Sequence, residues 1–165
     1  MTKEQLERTL TWFRAEPRRV TALQCANACC VGSAVAAFFW GVLMRPGLQD
    51  PKLTLRLILT CGVPFVILSA ARHKLDLPRP FEVYGLEPLL PRESRGQSFP
   101  SRHVFSICVI GTCFCYLTPW LGVALLALGA LLAVLRVISG VHFPRDVLVG
   151  AAFGILSGFI GFALL

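Results

Sequence analysis

Two histidines, one carboxylate and a set of arginines carry most of the chemistry that this 165-residue chain can offer. His142 and Asp146 are four positions apart, and Pro144 between them suits the first turn of a helix. His142 is then expected just before that helix and Asp146 within its first turn. A carboxylate so placed can accept an imidazole N–H, which fixes the tautomer and leaves the other ring nitrogen free to attack. The same spacing serves a helix cap, so the pair alone does not decide between the two roles. Pro100-Ser101-Arg102-His103 opens another apolar segment, with Ser101 at the capping position. Free N–H groups at a helix start bind anions, phosphate above all. His103, beside them, could give a proton to a leaving oxygen.

The arginines point the same way. Arg136 interrupts an apolar run. A cation there costs on the order of 3 kcal/mol unless it finds a partner or water, or snorkels from a helix end. Arg72 and Arg79-Pro80 bring planar forks of donors that match phosphate oxygens. Any one of these cations could also be charge left on one side by topology. Together they put arginines, two imidazoles, a hydroxyl and a carboxylate within reach of one another. Phosphoryl transfer asks for stabilised equatorial charge, an in-line nucleophile and a protonated leaving group. The set supplies all three without a metal or other cofactor.

The elements that must position these residues are apolar. Hydrophobic residues make up 55% and charged residues 15%, and the charges are swept into the gaps between long apolar blocks. That distribution predicts an all-α, polytopic transmembrane helical bundle of about five spans. The spans read as Val20 to Met44, Leu53 to Ala71, Ser101 to Leu117, Trp120 to Gly140 and Asp146 to Leu165. Arg45-Pro46-Gly47 ends the first, and Pro64 lies inside the second. The stretch 1–19 is not a secretory signal. Its Leu6, Leu10 and Phe13 recur at helical spacing, which suggests an amphipathic interfacial helix or a short soluble cap. Residues 72–102 form the one long polar loop, pinned between two spans and so read as functional. Five spans place the N-terminus, this loop and the Val141–Arg145 link on one side, where the loop and the link can meet. The length suits one membrane-embedded domain over 1–165.

Net charge is +7. Because the cations lie between apolar spans, anionic lipid headgroups fit as partners better than nucleic acid. Seven cysteines sit in apolar stretches without metal-ligand spacing and read as packing residues. The positive-inside rule favours a cytoplasmic site, although loop cations that bind substrate would distort that count.

The sequence resembles the type 2 phosphatidic acid phosphatases, the membrane branch of the superfamily that also holds vanadium haloperoxidases and bacterial acid phosphatases. That family carries Lys-x6-Arg-Pro, Pro-Ser-Gly-His and Ser-Arg-x5-His-x3-Asp. Here they read Arg72-x6-Arg79-Pro80, Pro100-Ser101-Arg102-His103 and Leu135-Arg136-x5-His142-x3-Asp146. Order and internal spacing match. The resemblance implies that His142 forms a phosphohistidine, Asp146 orients it, and His103 acts as acid and then as base. It implies that Arg72, Arg79, Ser101 and Arg136 cradle the phosphate. Three positions depart from the pattern: Arg72 for lysine, Arg102 for glycine and Leu135 for serine. Arg102 could serve a second phosphate. Family members usually have six spans, against five read here.

The expected activity is hydrolysis of a lipid phosphate or diphosphate at one face of the cell (plasma) membrane. Polyprenyl diphosphate is favoured over phosphatidate and phosphatidylglycerol phosphate. A lipid phosphotransferase and a non-catalytic lipid-phosphate-binding protein are the alternatives, and assembly into a homo-oligomer is left open.

Overall fold

The computed structural model describes residues 2–43, 51–90 and 95–164. Met44 and the Arg45-Pro46-Gly47 stop lie outside them. The elements in chain order are α1 (Lys3–Arg14), α2 (Pro17–Leu43), α3 (Pro51–Leu75), α4 (Pro80–Tyr84), α5 (Arg102–Leu117), α6 (Pro119–Ile138) and α7 (Pro144–Phe159), which runs into a π-helical turn, Ile160–Leu164. Among the described residues there is no strand. Proline opens α2, α3, α4, α6 and α7, where its missing N–H has no intrahelical partner to lose.

This bundle is apolar outside and polar at one end inside. Val35, Val66, Val123, Leu148 and Leu156 face outward, while Arg72, Arg79, Arg136, His142 and Asp146 are buried. Only a hydrocarbon surround makes that arrangement stable, so the chain is an integral membrane protein. Among the described residues, four helical segments are long and apolar enough to cross a membrane. The third expected span, α5, has 16 residues. At a rise of 1.5 Å it covers about 24 Å, short of a core of about 30 Å. It can be short because it is the centre of the bundle, packed between α6 and α7 and touched by α2 and α3.

Close packing on α5 depends on glycine. Gly150, Gly154 and Gly158 line one face of α7. A methyl group on them would stand 2.6 Å from Ser101 O, 2.6 Å from Phe105 O and 2.6 Å from Thr112 Cβ respectively. Helices in lipid associate through such small-residue stripes, which let backbones approach.

Two expected boundaries differ. The second span continues to Leu75, so Arg72 belongs to the last turn of α3 and not to the loop. Cations are favoured there by the free carbonyls of the helix end, which is consistent with the helix running past Ala71 through Arg72, His73 and Lys74. The 72–102 segment also contains the short helix α4, and Arg102 is already helical. At the N-terminus, Thr2 caps α1 and Leu6 and Leu10 are buried in the protein. They pack over the Gly140 turn, so the apolar stripe of α1 meets protein, while Trp12 alongside is 56% exposed.

Candidate active site

The end of α3 begins the site. Arg72 is 2% exposed, and its Nη1 donates to Pro100 O and, at 3.4 Å, to Ser98 O. It thereby fastens the extended segment that leads into α5. The loop between them is braced by one carboxylate. Glu82 accepts from Arg79 N at 2.9 Å, capping α4, and from Gly96 N at 2.9 and 3.1 Å. Arg79 Nε in turn donates to Gly96 O at 3.0 Å. Gly96 has φ +66, a conformation that favours glycine.

The link between α6 and α7 forms the opposite wall. Arg136, 6% exposed in the last turn of α6, offers its carbonyl to Val141 N (3.3 Å), His142 N (3.2 Å) and Ser139 Oγ (3.1 Å). Gly140, at φ +80, completes the reversal that brings His142 back towards the bundle. The loop docks here, as expected from topology: Phe81 N donates to Gly140 O at 3.2 Å and Leu89 N to Ser139 O at 3.1 Å.

Asp146 joins the blocks. Its Oδ2 accepts from Phe143 N at 2.9 Å, so it does cap α7. The same oxygen accepts from Ser98 Oγ at 2.6 Å and lies 3.6 Å from His142 Nδ1. That last separation lies just beyond hydrogen-bond range. The other oxygen, Oδ1, lies 3.5 Å from Arg145 Nε. The main-chain carbonyl of Asp146 accepts from Ser101 N at 2.9 Å, tying the start of α5 to the start of α7. Capping and orientation, alternatives in the sequence, are thus compatible.

Ser101 stands at the N-cap of α5, but its hydroxyl makes no capping bond. Ser101 Oγ and His142 Nδ1 are both buried without a hydrogen-bond partner. Buried polar atoms are rarely left so without a reason such as a role in binding or catalysis. His103 is half-buried, within electrostatic reach of Arg136, His142, Arg102 and Arg72. Arg102 is half-buried too, and it shares with His103 a cavity between α2, α3 and α5. Burial holds the His142 imidazole below its usual range; Asp146 opposes that shift, and the Arg79 and Arg136 cations add to it.

Two contributors carry no signal in the sequence: Ser98, whose partner is far along the chain, and Glu82, whose pairing depends on the loop's path. Among the described residues, no three His, Cys, Asp or Glu side chains gather as a metal site would require.

Residues 52–165 match the family described as the PAP2 superfamily. The chain belongs to the PAP2 superfamily. It is 37% identical over 79 residues to a lipid A 1-phosphatase of Rhizobium johnstonii, covering 47% of this chain and 32% of that protein. It is 30% identical over 130 residues to YbjG of Escherichia coli K12, which is named for undecaprenyl-diphosphatase activity, covering 78% of this chain and 60% of YbjG. The chain thus spans about a third of the lipid A 1-phosphatase and three-fifths of YbjG. The crystal structure of Aquifex aeolicus LpxE shares the fold, with a TM-score of 0.71 at 23% identity over 93% of this chain and 94% of that one.

Proposed function

We propose that this PAP2 protein is a metal-independent lipid phosphatase of the cell membrane, with polyprenyl diphosphate as the favoured substrate. The observation that carries the reading is the convergence of the three blocks on Pro100–Ser101, where Arg72 of the first block donates to Pro100 O and Asp146 of the third holds Ser101 N. The Asp146 carboxylate meets Ser98 and faces His142. In a bundle otherwise apolar, so costly a polar cluster is best explained by chemistry. The names of the two relatives support a lipid carrying phosphate or diphosphate.

In this reading Asp146 favours the proton on His142 Nδ1, and Nε2 attacks phosphorus. The bond from phosphorus to the leaving oxygen breaks as the N–P bond forms, and His103 gives that oxygen its proton. Arg72, Arg79 and Arg136 balance the equatorial charge, and the Ser101 hydroxyl donates to it. Water then attacks phosphorus and gives a proton to His103 as the N–P bond breaks and its electron pair returns to His142 Nε2. Inorganic phosphate leaves, and both imidazoles return to their starting states. Arg102 is positioned near His103 to meet a second phosphate.

The test is phosphate release by purified protein from polyprenyl diphosphate, phosphatidate, phosphatidylglycerol phosphate and a lipid A 1-phosphate, with and without EDTA. The expected result is chelator-resistant release that is highest for the polyprenyl diphosphate. Release that stops with EDTA overturns the metal-free mechanism, and release from none of the four overturns the function.

A further inference from the structure

We propose that the cavity between α2, α3 and α5 receives the first segment of the substrate's hydrocarbon chain, one chain to each headgroup. This rests on the phosphatase reading above and adds where the lipid lies. Larger hollows exist: about 760 Å³ along α3 and α7, and about 560 Å³ along α6 and α7. Neither is lined by any of the arginines, histidines, Ser101 or Asp146 assigned to the site. The smaller cavity, about 330 Å³, is lined by both Arg102 and His103.

Its lining is graded like an amphiphile. Arg102 and His103 occupy the first turn of α5, Ser106 begins the second, and Ile107 and Ile110 follow. From Arg102 to Ile110 the helix descends about 12 Å. Val31, Ala34 and Val35 of α2 add a stripe at helical spacing, and Phe65 of α3, whose ring lies 6.4 Å from that of Phe105, completes the lining. Val35 is 49% exposed and Phe65 38%, so the hollow opens sideways to the bilayer. A lipid can slide in with its chain still in hydrocarbon and its anionic head brought to His103 and Arg102. The volume is at the low end of the roughly 300–1,000 Å³ of small-molecule sites. It suits part of a single chain and not several acyl chains side by side.

The test compares kcat/KM for a long-chain polyprenyl diphosphate with that for a five-carbon, water-soluble diphosphate. In Val35→Trp, which fills the opening from a half-exposed position, the ratio of long to short falls at least tenfold. Val31→Phe lowers it in the same direction. Val123→Trp, on the outer face of α6 and away from this cavity, leaves it within twofold. An unchanged ratio in Val35→Trp overturns the proposal. A non-hydrolysable diphosphonate lipid with a diazirine in its first isoprene units supplies a readout independent of turnover. It should label peptides holding Val31–Val35 and Ile107–Ile110 and be displaced by excess unlabelled analogue. Displaceable labelling confined to α6 and α7 overturns the proposal. Labelling of this cavity with no phosphate released keeps it and removes the phosphatase reading, whereas release with labelling elsewhere does the reverse.

Discussion

Arg56 and Arg72 lie on the same helix, about 24 Å apart along its axis, and both find main-chain carbonyls. Arg56 Nε donates to Gly161 O at 2.5 Å, and its guanidinium lies 5.0 Å from the centre of the Phe162 ring. It holds the π-helical end of α7 against α3, beside a groove lined mainly by aliphatic residues. Arg72 donates to the carbonyls of Ser98 and Pro100. Those carbonyls belong to the segment that presents Ser101 and His103, and Arg72 acts electrostatically on His103. An arginine in an apolar helix is therefore not in itself a sign of chemistry, since both are satisfied in the same way. The distinguishing feature is whether imidazoles and a carboxylate converge on the same end.

The sharpest way to break that comparison is at the polar end. His142→Ala should lower phosphate release by about 10⁴-fold or more, the scale seen when a nucleophile is removed. Retention of full activity in that variant would remove His142 from the mechanism. Asp146→Asn keeps the shape but not the charge facing His142. It should cost about 10³-fold in kcat, and circular dichroism should show the helices intact. Arg136→Ala should cost roughly 10²–10³-fold, as loss of one donor to developing charge does.

The contrasting end should respond differently. Arg56→Gln should lower the thermal midpoint and leave kcat within about twofold. A fall in kcat as large as that of Arg136→Ala would dissolve the distinction. The smallest effect is in the pH profile. Under the proposed mechanism His142 attacks as the neutral imidazole, and because it sits below its ordinary range the acid limb of the activity should lie below about 6.5. Arg136→Gln removes a cation that helps to depress His142, so the acid limb of its residual activity should move to higher pH. Asp146→Asn removes the opposing carboxylate and should move it lower.

Much of this was legible in the sequence because apolar periodicity and spaced blocks are local signals. The span order follows from charge-free runs, and the meeting of loop and link follows from alternating topology. Boundaries were less legible. Arg72 reads as loop because a cation ends an apolar run, yet a helix C-terminus favours cations and α3 continues past it to Leu75. Ser101 reads as a capping side chain, but its hydroxyl makes no cap and its backbone N–H is spent on Asp146. Ser98 could not be found at all, because a serine in a polar loop has no period and its partner is set by the fold. The stripe of α1 reads equally as an interfacial helix or a soluble cap, and no pattern within it reveals that the Gly140 turn is its partner.

The glycine face of α7 has a consequence for how such a protein can diverge. His103 rides on α5, while His142 and Asp146 ride on the start of α7, and backbone contact at Gly150 and Gly154 joins the two helices into one unit. The wall formed by Val31, Ala34 and Val35 belongs to α2, outside that unit. Mutational drift in α2 can reshape what the hollow admits without displacing either imidazole. Drift at the glycines separates the imidazoles whatever the lipid. Natural variation should therefore be tolerated on one side of α5 and purged on the other.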